Sequence, residues 1–151
     1  MRIVITTVLN AEIVIDQKIH SSIGRGYCLL VGFTPSDNEQ IVDKMVDKLL
    51  SLRVFMDDKG LTNLSIYDVK GEIITVSQFT LYADLSKGRR PSFTKAMRPE
   101  EAQALYEYFN EQLRQKFGPI VTGVFGADMK VSSVNDGPFT VILDSEDIIK
   151  K

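Results

Sequence analysis

Apolar residues in the first part of the chain fall into runs of strand length. Arg2 to Val8 and Glu12 to Ile15 are rich in Ile and Val with Asn10 between them, which predicts two strands joined by a tight turn. Ile19 to Ile23 adds a short strand. Gly24-Arg25-Gly26 punctuates the chain before Tyr27 to Phe33, whose nearly continuous apolar character suits a buried central strand. The period then changes. Thr34-Pro35-Ser36-Asp37 opens a helix with a capping side chain near its start, and Ile41, Val42, Met45, Val46, Leu49 and Leu50 form a stripe that must face a sheet.

Val54 to Met56 reads as a further short strand, followed by the turn signal Asp57-Asp58-Lys59-Gly60. After Gly71, Glu72 to Leu81 is strongly β-prone. A second helix starts near Pro99, where proline in the first turn and the acids Glu100 and Glu101 suit the positive end of the helix dipole. Its apolar set is Ala102, Leu105, Tyr106, Phe109 and Leu113, and Gly118-Pro119 ends it. Val121 to Phe125, Met129 to Val134 and Phe139 to Leu143 supply the last strands, and the charged tail from Ser145 to Lys151 is expected to be loosely held. The pattern predicts a single α+β domain over residues 1–151, with about eight strands and two helices of roughly 14 to 18 residues. No repeat, linker or low-complexity tract divides it.

With 151 residues, 44% of them apolar, the chain can bury one real core. No run approaches the roughly 20 apolar residues that span a bilayer, and no basic segment followed by an apolar stretch opens the chain. A cytoplasmic protein without membrane association is expected. The single cysteine, Cys28, sits inside Tyr27-Cys28-Leu29-Leu30-Val31 and reads as core, where burial makes a thiol inert. One histidine, one cysteine and no carboxylates at ligand spacing leave no set for zinc or iron, so neither metal nor cofactor is expected.

A net charge of −2 excludes a general nucleic-acid binder, yet the charge is unevenly placed. Leu85 to Arg98 holds Lys87, Arg89, Arg90, Lys95 and Arg98 and no acid. This is either a solvated loop or a local phosphate-binding patch.

A Ser-His-Asp or Cys-His site needs an imidazole beside its nucleophile. His20, in Lys18-Ile19-His20-Ser21-Ser22, has no flanking motif and reads as a surface histidine. A hydrolase reading must therefore work without a conventional base. An activated ester suits such a site, because main-chain N–H groups that bind the developing oxyanion supply roughly 3 to 4 kcal/mol each. Two segments have the right composition. In Ser77-Gln78-Phe79-Thr80-Leu81-Tyr82-Ala83-Asp84, polar side chains interrupt a strand just before the basic loop; a half-exposed strand has the same look. Asn135-Asp136-Gly137-Pro138-Phe139-Thr140 is first of all a turn.

Taken together, these segments resemble the D-aminoacyl-tRNA deacylase family. Ser77-Gln78-Phe79-Thr80 matches its Ser-Gln-Phe-Thr motif, and Asn135 to Thr140 matches its Asn-x-Gly-Pro-x-Thr motif. Lys87-Gly88-Arg89-Arg90-Pro91-Ser92-Phe93 resembles the connecting loop, and Phe125-Gly126-Ala127-Asp128-Met129 the stretch before the second motif. The resemblance implies a mostly antiparallel or barrel-like sheet with two main helices, in a homodimer whose substrate is the aminoacylated 3′ end of tRNA. It implies that Gly137-Pro138, with a cis peptide bond, enters the partner's active site and fills the space an L-side chain needs. Glycine, lacking a β-carbon, escapes that filter.

On the same resemblance, the Phe79 N–H and that of Thr80 bind the oxyanion, Thr80 orients the ester beside Ser77 and Gln78, and the ribose 2′-hydroxyl helps activate water. Phe125, Met129, Asn135 and Thr140 are assigned to the substrate pocket, and Lys87, Arg89, Arg90, Lys95 and Arg98 to tRNA contact. One departure stands out. The family usually has Gln-Arg-Val early in its first strand, where the arginine braces the Gly-Pro loop, and this chain has Thr6-Thr7-Val8. The change puts the strictness of chiral rejection in doubt. The rival readings are a deacylase of relaxed chirality and a non-catalytic nucleic-acid-binding module.

Overall fold

The first strand organises the molecule, which a computed structural model describes over residues 1–149. Strand β1, Arg2–Ile15, is continuous through Asn10 where two strands and a turn were expected. It stays extended because it has partners along its whole length. Arg2 to Val8 pair antiparallel with β3, Gly26–Gly32, and Ala11 to Ile15 with β2, Lys18–Ile23. On its other side β1 pairs with β8, Lys130–Asp144. β8 in turn merges the two C-terminal strands that the sequence pattern separated.

Between these lie helix α1, Glu39–Ser51, the hairpin of β4, Arg53–Met56, and β5, Thr62–Ser65, then β6, Glu72–Ser77. Helix α2, Pro99–Lys116, precedes the two-residue strand β7, Val121–Thr122. β3 pairs parallel with β6, and β6 with β7. The Ser21 hydroxyl of β2 donates to the Thr122 carbonyl of β7 at 3.1 Å, drawing the ends of the sheet towards each other. The result is the expected single α+β domain with a mostly antiparallel, nearly closed barrel-like sheet.

Alternation along the strands feeds two cores. Ile3, Ile5, Tyr27, Leu29 and Val31 face α1 and α2, meeting Val42, Met45, Val46, Leu49, Phe109 and Leu113. Each such fully buried side chain stabilises the fold by about 1.5–3 kcal/mol. The opposite face fills the barrel with Val8, Ala11, Ile13, Ile23, Cys28, Ile74 and Val76. Burial there pushes the Cys28 thiol above its ordinary range, in keeping with a packing role.

Helix α1 begins later than the sequence suggests. Its cap is Asn38, whose side chain accepts from the Ile41 N–H at 3.0 Å. Asp37 instead closes the preceding turn on the Thr34 N–H at 2.8 Å and pairs with the Met1 ammonium at 2.6 Å, both charges buried. The tail expected to be loose starts as a docked turn. Ser145 is buried, its hydroxyl accepts from the Met1 ammonium at 2.8 Å, and it opens the short helix α3, Ser145–Ile148, capped by Asp144. The last two residues of that tail lie outside the described residues. No helix among the described residues is long and apolar enough to cross a membrane.

Candidate functional site

Strand β6 delivers the first motif. Ser77 is its last residue, opposite Val31, and the Gln78 N–H still reaches the Val31 carbonyl at 2.7 Å. The chain then leaves the sheet, so the strand stops at Ser77 and not at Leu81 as expected. Phe79–Tyr82 forms one 3₁₀ turn, closed by the Leu81 N–H on the Gln78 carbonyl and the Ala83 N–H on the Thr80 carbonyl. Amides at the head of such a turn have no partner within it. Among the described residues those of Phe79 and Thr80 find no acceptor elsewhere. Two N–H groups at the end of a strand thus stand ready for an anionic oxygen.

The side chains around them hold the turn in place. Gln78 Nε2 donates to Thr80 Oγ1 at 2.5 Å. That bond occupies a lone pair of the hydroxyl and leaves its proton to be donated outward. Gly32 of β3 lies under the turn, where a β-carbon would come within 2.8 Å of the Gln78 carbonyl oxygen. Arg2 holds the far end: Nη1 donates to the Leu81 carbonyl at 2.8 Å, Nε to Asp144 at 2.6 Å, and the guanidinium lies 4.5 Å from the Tyr82 ring centre. Burial pushes the Asp144 carboxyl up, but the hydrogen bonds from Arg2 and the Glu146 N–H outweigh it and leave it below its ordinary value.

Behind β6, Thr75, Tyr106 and Asn110 form a buried polar cluster. The Tyr106 hydroxyl lies 2.9 Å from the Thr75 carbonyl and the Thr75 hydroxyl donates to Asn110 Oδ1 at 2.7 Å, tying α2 to the strand that carries the motif.

A cleft of about 710 Å³ opens beside the turn, a size that suits a small molecule or one nucleotide with its substituent. It gathers Ser77, Gln78, Phe79, Phe125, Met129 and Arg98 from the expected set. Sequence reasoning gave no role to several other walls: Phe93, Met97, and the head of α2 at Pro99 and Ala102. The Phe93 ring meets Phe79 edge-on with centroids 5.0 Å apart, and both remain partly exposed at the mouth. A half-exposed aromatic after the basic run was the available signal.

The basic loop is held at its neck. Asp84 and Ser92 exchange both backbone hydrogen bonds, at 2.7 and 3.0 Å. The Asp84 carboxylate accepts from the Ser86 N–H and faces Lys95 Nζ at 3.5 Å, and these contacts, Ser86 foremost, keep it below the usual carboxylate range. Lys95 is therefore partly neutralised within the chain. Lys87, Arg89 and Arg90 are exposed at the tip and have no ion pair among the described residues.

The second motif lies elsewhere. On β8 the register with β1 steps from Thr140 opposite Thr6 to Asn135 opposite Val8, so Asp136 to Phe139 bulge out opposite Thr7 alone. The Gly137-Pro138 peptide is cis, as the resemblance implied, and Gly137 has φ 124°, in the region that favours glycine. The Thr6 and Thr140 hydroxyls are 3.2 Å apart, and Asn135 Oδ1 accepts from the Ser133 hydroxyl at 2.6 Å. Asn135 and Thr140, assigned to the substrate pocket, are exposed and do not line the cleft of their own chain. β8 touches the cleft near its start, at Val131, whereas the motif lies further along the strand, paired with Thr6 and Val8 of β1. His20 is exposed on β2, and among the described residues no three side chains are grouped to hold a metal.

Residues 4–144 match the family described as D-Tyr-tRNA(Tyr) deacylase. A D-aminoacyl-tRNA deacylase from Lactobacillus acidophilus (strain ATCC 700396 / NCK56 / N2 / NCFM) is 51% identical over 144 residues, covering 95% of this chain and 99% of the relative. Among solved structures, one titled c-Myc DNA Unwinding Element Binding Protein superposes with a TM-score of 0.90 at 41% identity, over 95% of this chain and 98% of that one. A probable eukaryotic D-amino acid tRNA deacylase superposes with a TM-score of 0.80 over 94% and 97% of the two chains; at 18% identity it speaks to the fold alone. With a family match over nearly its whole length and a half-identical relative of the same extent, the chain belongs to the D-Tyr-tRNA(Tyr) deacylase family.

Proposed function

We propose that this chain hydrolyses the ester joining a D-amino acid, or glycine, to the 3′ end of tRNA. The observation that carries the reading is the pair of amides, Phe79 and Thr80, unpartnered among the described residues, in a turn whose first residue, Phe79, walls a cleft with Phe125 and Met129. The terminal adenosine occupies the cleft, with its base against Phe125 and Met129, and the ester carbonyl reaches the head of the 3₁₀ turn. Water adds to the carbonyl carbon, and the negative oxygen is bound by the Phe79 N–H with help from that of Thr80. Each such donor contributes about 3 kcal/mol to the transition state. The Thr80 hydroxyl, held by Gln78, orients the reacting group.

The ribose 2′-hydroxyl, positioned by the RNA, assists removal of the water proton. The bond from the carbonyl carbon to the ribose oxygen then breaks, and that oxygen leaves with a proton. No imidazole is needed, because the leaving group is already activated and held in place.

Chiral selection comes from a second copy of the chain. The Gly137-Pro138 bulge stands exposed on β8, away from the cleft of its own chain, so in this reading it serves the neighbouring subunit of a homodimer. Leu9, Val134 and Ile142 are exposed on and beside β8, the apolar surface such a dimer would cover. The turn's carbonyls occupy the side of the α-carbon where an L-side chain projects; a D-side chain points the other way, and glycine has none. Lys87, Arg89 and Arg90, with Arg98 at the cleft, meet tRNA phosphates.

Single-turnover hydrolysis of D-Tyr-tRNA, Gly-tRNA and L-Tyr-tRNA by the purified chain tests the reading. Turnover of the first two with sparing of the third is expected, unchanged by chelators; equal sparing of all three would refute it. The DNA-binding name of one relative, together with the exposed basic tip, favours a second reading as a binding module. That reading requires salt-sensitive tRNA retention without ester cleavage.

A further inference from the structure

We propose that Thr7 is a positioning residue that fixes the Gly137-Pro138 turn and thereby sets how strictly L-aminoacyl esters are rejected. The inference rests on the reading above, in which that turn is the chiral filter. Between the Thr6–Thr140 and Val8–Asn135 pairs, the four residues Asp136 to Phe139 leave the ladder while β1 contributes only Thr7. The carbonyls of the bulge therefore lose their strand partners. Gly137 and Pro138 are exposed to solvent, whereas Asp136 and Phe139 at the base of the bulge are half-buried, and a carbonyl shielded from water is costly unless some other group meets it.

Thr7 does. It is 4% exposed, and its hydroxyl donates to the Asp136 carbonyl at 2.9 Å with the Phe139 carbonyl 3.4 Å away. Those two carbonyls belong to the residues on either side of Gly137-Pro138. One hydroxyl thus grips the base of the turn. Thr6 pins its outer end through the Thr140 hydroxyl at 3.2 Å. A threonine is restricted about its first side-chain bond, so the donor is held in direction as well as in place.

Steric exclusion depends on where the turn stands, and a displacement of an ångström changes such discrimination by a large factor. Thr7 can therefore govern selectivity without touching substrate. A residue that only filled the core would affect stability and D-turnover and leave the D-to-L ratio alone.

The test compares Thr7→Val, which keeps the shape and removes the donor, with Thr7→Ser, which keeps the donor. kcat/KM on D-Tyr-tRNA and L-Tyr-tRNA is measured for each full chain, with thermal melts alongside. A D-to-L ratio at least tenfold lower in Thr7→Val, from a gain in L-turnover, and within threefold of wild type in Thr7→Ser supports the assignment. An unchanged ratio in folded Thr7→Val, or an equal loss in Thr7→Ser, overturns it. If Thr7→Val does not fold, Thr7→Ala is judged by the same criteria. Failure of the underlying reading looks different: a wild-type chain that spares D-Tyr-tRNA refutes the deacylase, and Pro138→Ala with the wild-type ratio removes the filter and this assignment with it.

Discussion

Replacing Gly32 with alanine tests whether β3 supports the 3₁₀ turn to which the proposed oxyanion donors belong. A β-carbon there would sit 2.8 Å from the Gln78 carbonyl oxygen and 3.1 Å from Leu81 Cβ. Ordinary van der Waals contact begins near 3.4 Å, so the turn must lift by about half an ångström. The obstacle is backbone, and Gln78 is also tied to Val31 through its N–H at 2.7 Å, so the turn cannot simply rotate away. Overpacking of this kind costs about 1–3 kcal/mol, which for a chain of this size lowers Tm by roughly 2–12 °C. The effect on catalysis should be larger in proportion. Lifting Gln78 carries the Phe79 amide off the proposed oxyanion position, and loss of one such donor lowers kcat by about 10²–10³.

Single-turnover deacylation of D-Tyr-tRNA at saturating enzyme, beside a thermal melt, separates the two effects. Gly88→Ala serves as the comparison, since nothing lies within 4 Å of its added carbon and its φ of 67° confines the effect to local loop strain. A folded Gly32→Ala chain with kcat within threefold of wild type would show that the turn is not positioned through β3.

Tyr27→Phe should leave stability unchanged or raise it by about 1 kcal/mol in urea titrations, because the buried Tyr27 hydroxyl has no partner among the described residues and burial alone holds its proton on. A loss above that size would reveal a bond that the fold does not show. Asp144 has a depressed folded pKa, so its contribution is present above its unfolded value near 4 and is lost as pH falls through the lower folded value. Asp144→Asn should thus cost about 1.5–3 kcal/mol at neutral pH, with the gap to wild type closing in denaturation series carried down to about pH 3. Arg89→Ala with Arg90→Ala should raise KM for charged tRNA and reduce the slope of log binding constant against log salt by about one to two, with saturated turnover retained. An unaltered salt slope would remove the loop tip from the tRNA interface.

Much of the helical layer is legible from periodicity, because the stripes of α1 and α2 repeat at helical spacing and each must find a sheet. Pro99, followed by two acids, marks the start of α2 within a residue. Strand breaks are less legible. Asn10 looks like a turn, yet β1 runs through it because three other strands pair with it, a non-local fact that no window of residues contains. The converse error occurs at Ser77: β-prone residues continue to Leu81, but Gly32 and Arg2, both distant in sequence, hold that stretch in a 3₁₀ turn. Ser145 also reads as part of a polar tail, and its hydrogen bonds with Met1, whose ammonium is itself paired with Asp37, order it.

Local chemistry by itself therefore determined which short segments could carry function: a polar interruption after a β-prone run, a glycine-proline turn and a basic loop free of acids. It also ruled out an imidazole or thiol mechanism, since one surface histidine and one core cysteine cannot form a nucleophilic pair. Where those segments stand was decided by tertiary structure. The fold sets the first motif beside Phe125 and Met129 and leaves the second further along β8, outside that cleft, and the β1–β8 register leaves Thr7 facing the bulge alone. Such placements arise from pairings between segments distant in sequence, Val31 with Ser77 for the first motif and Thr6 with Thr140 for the second, whose geometry is absent from either segment until both are folded.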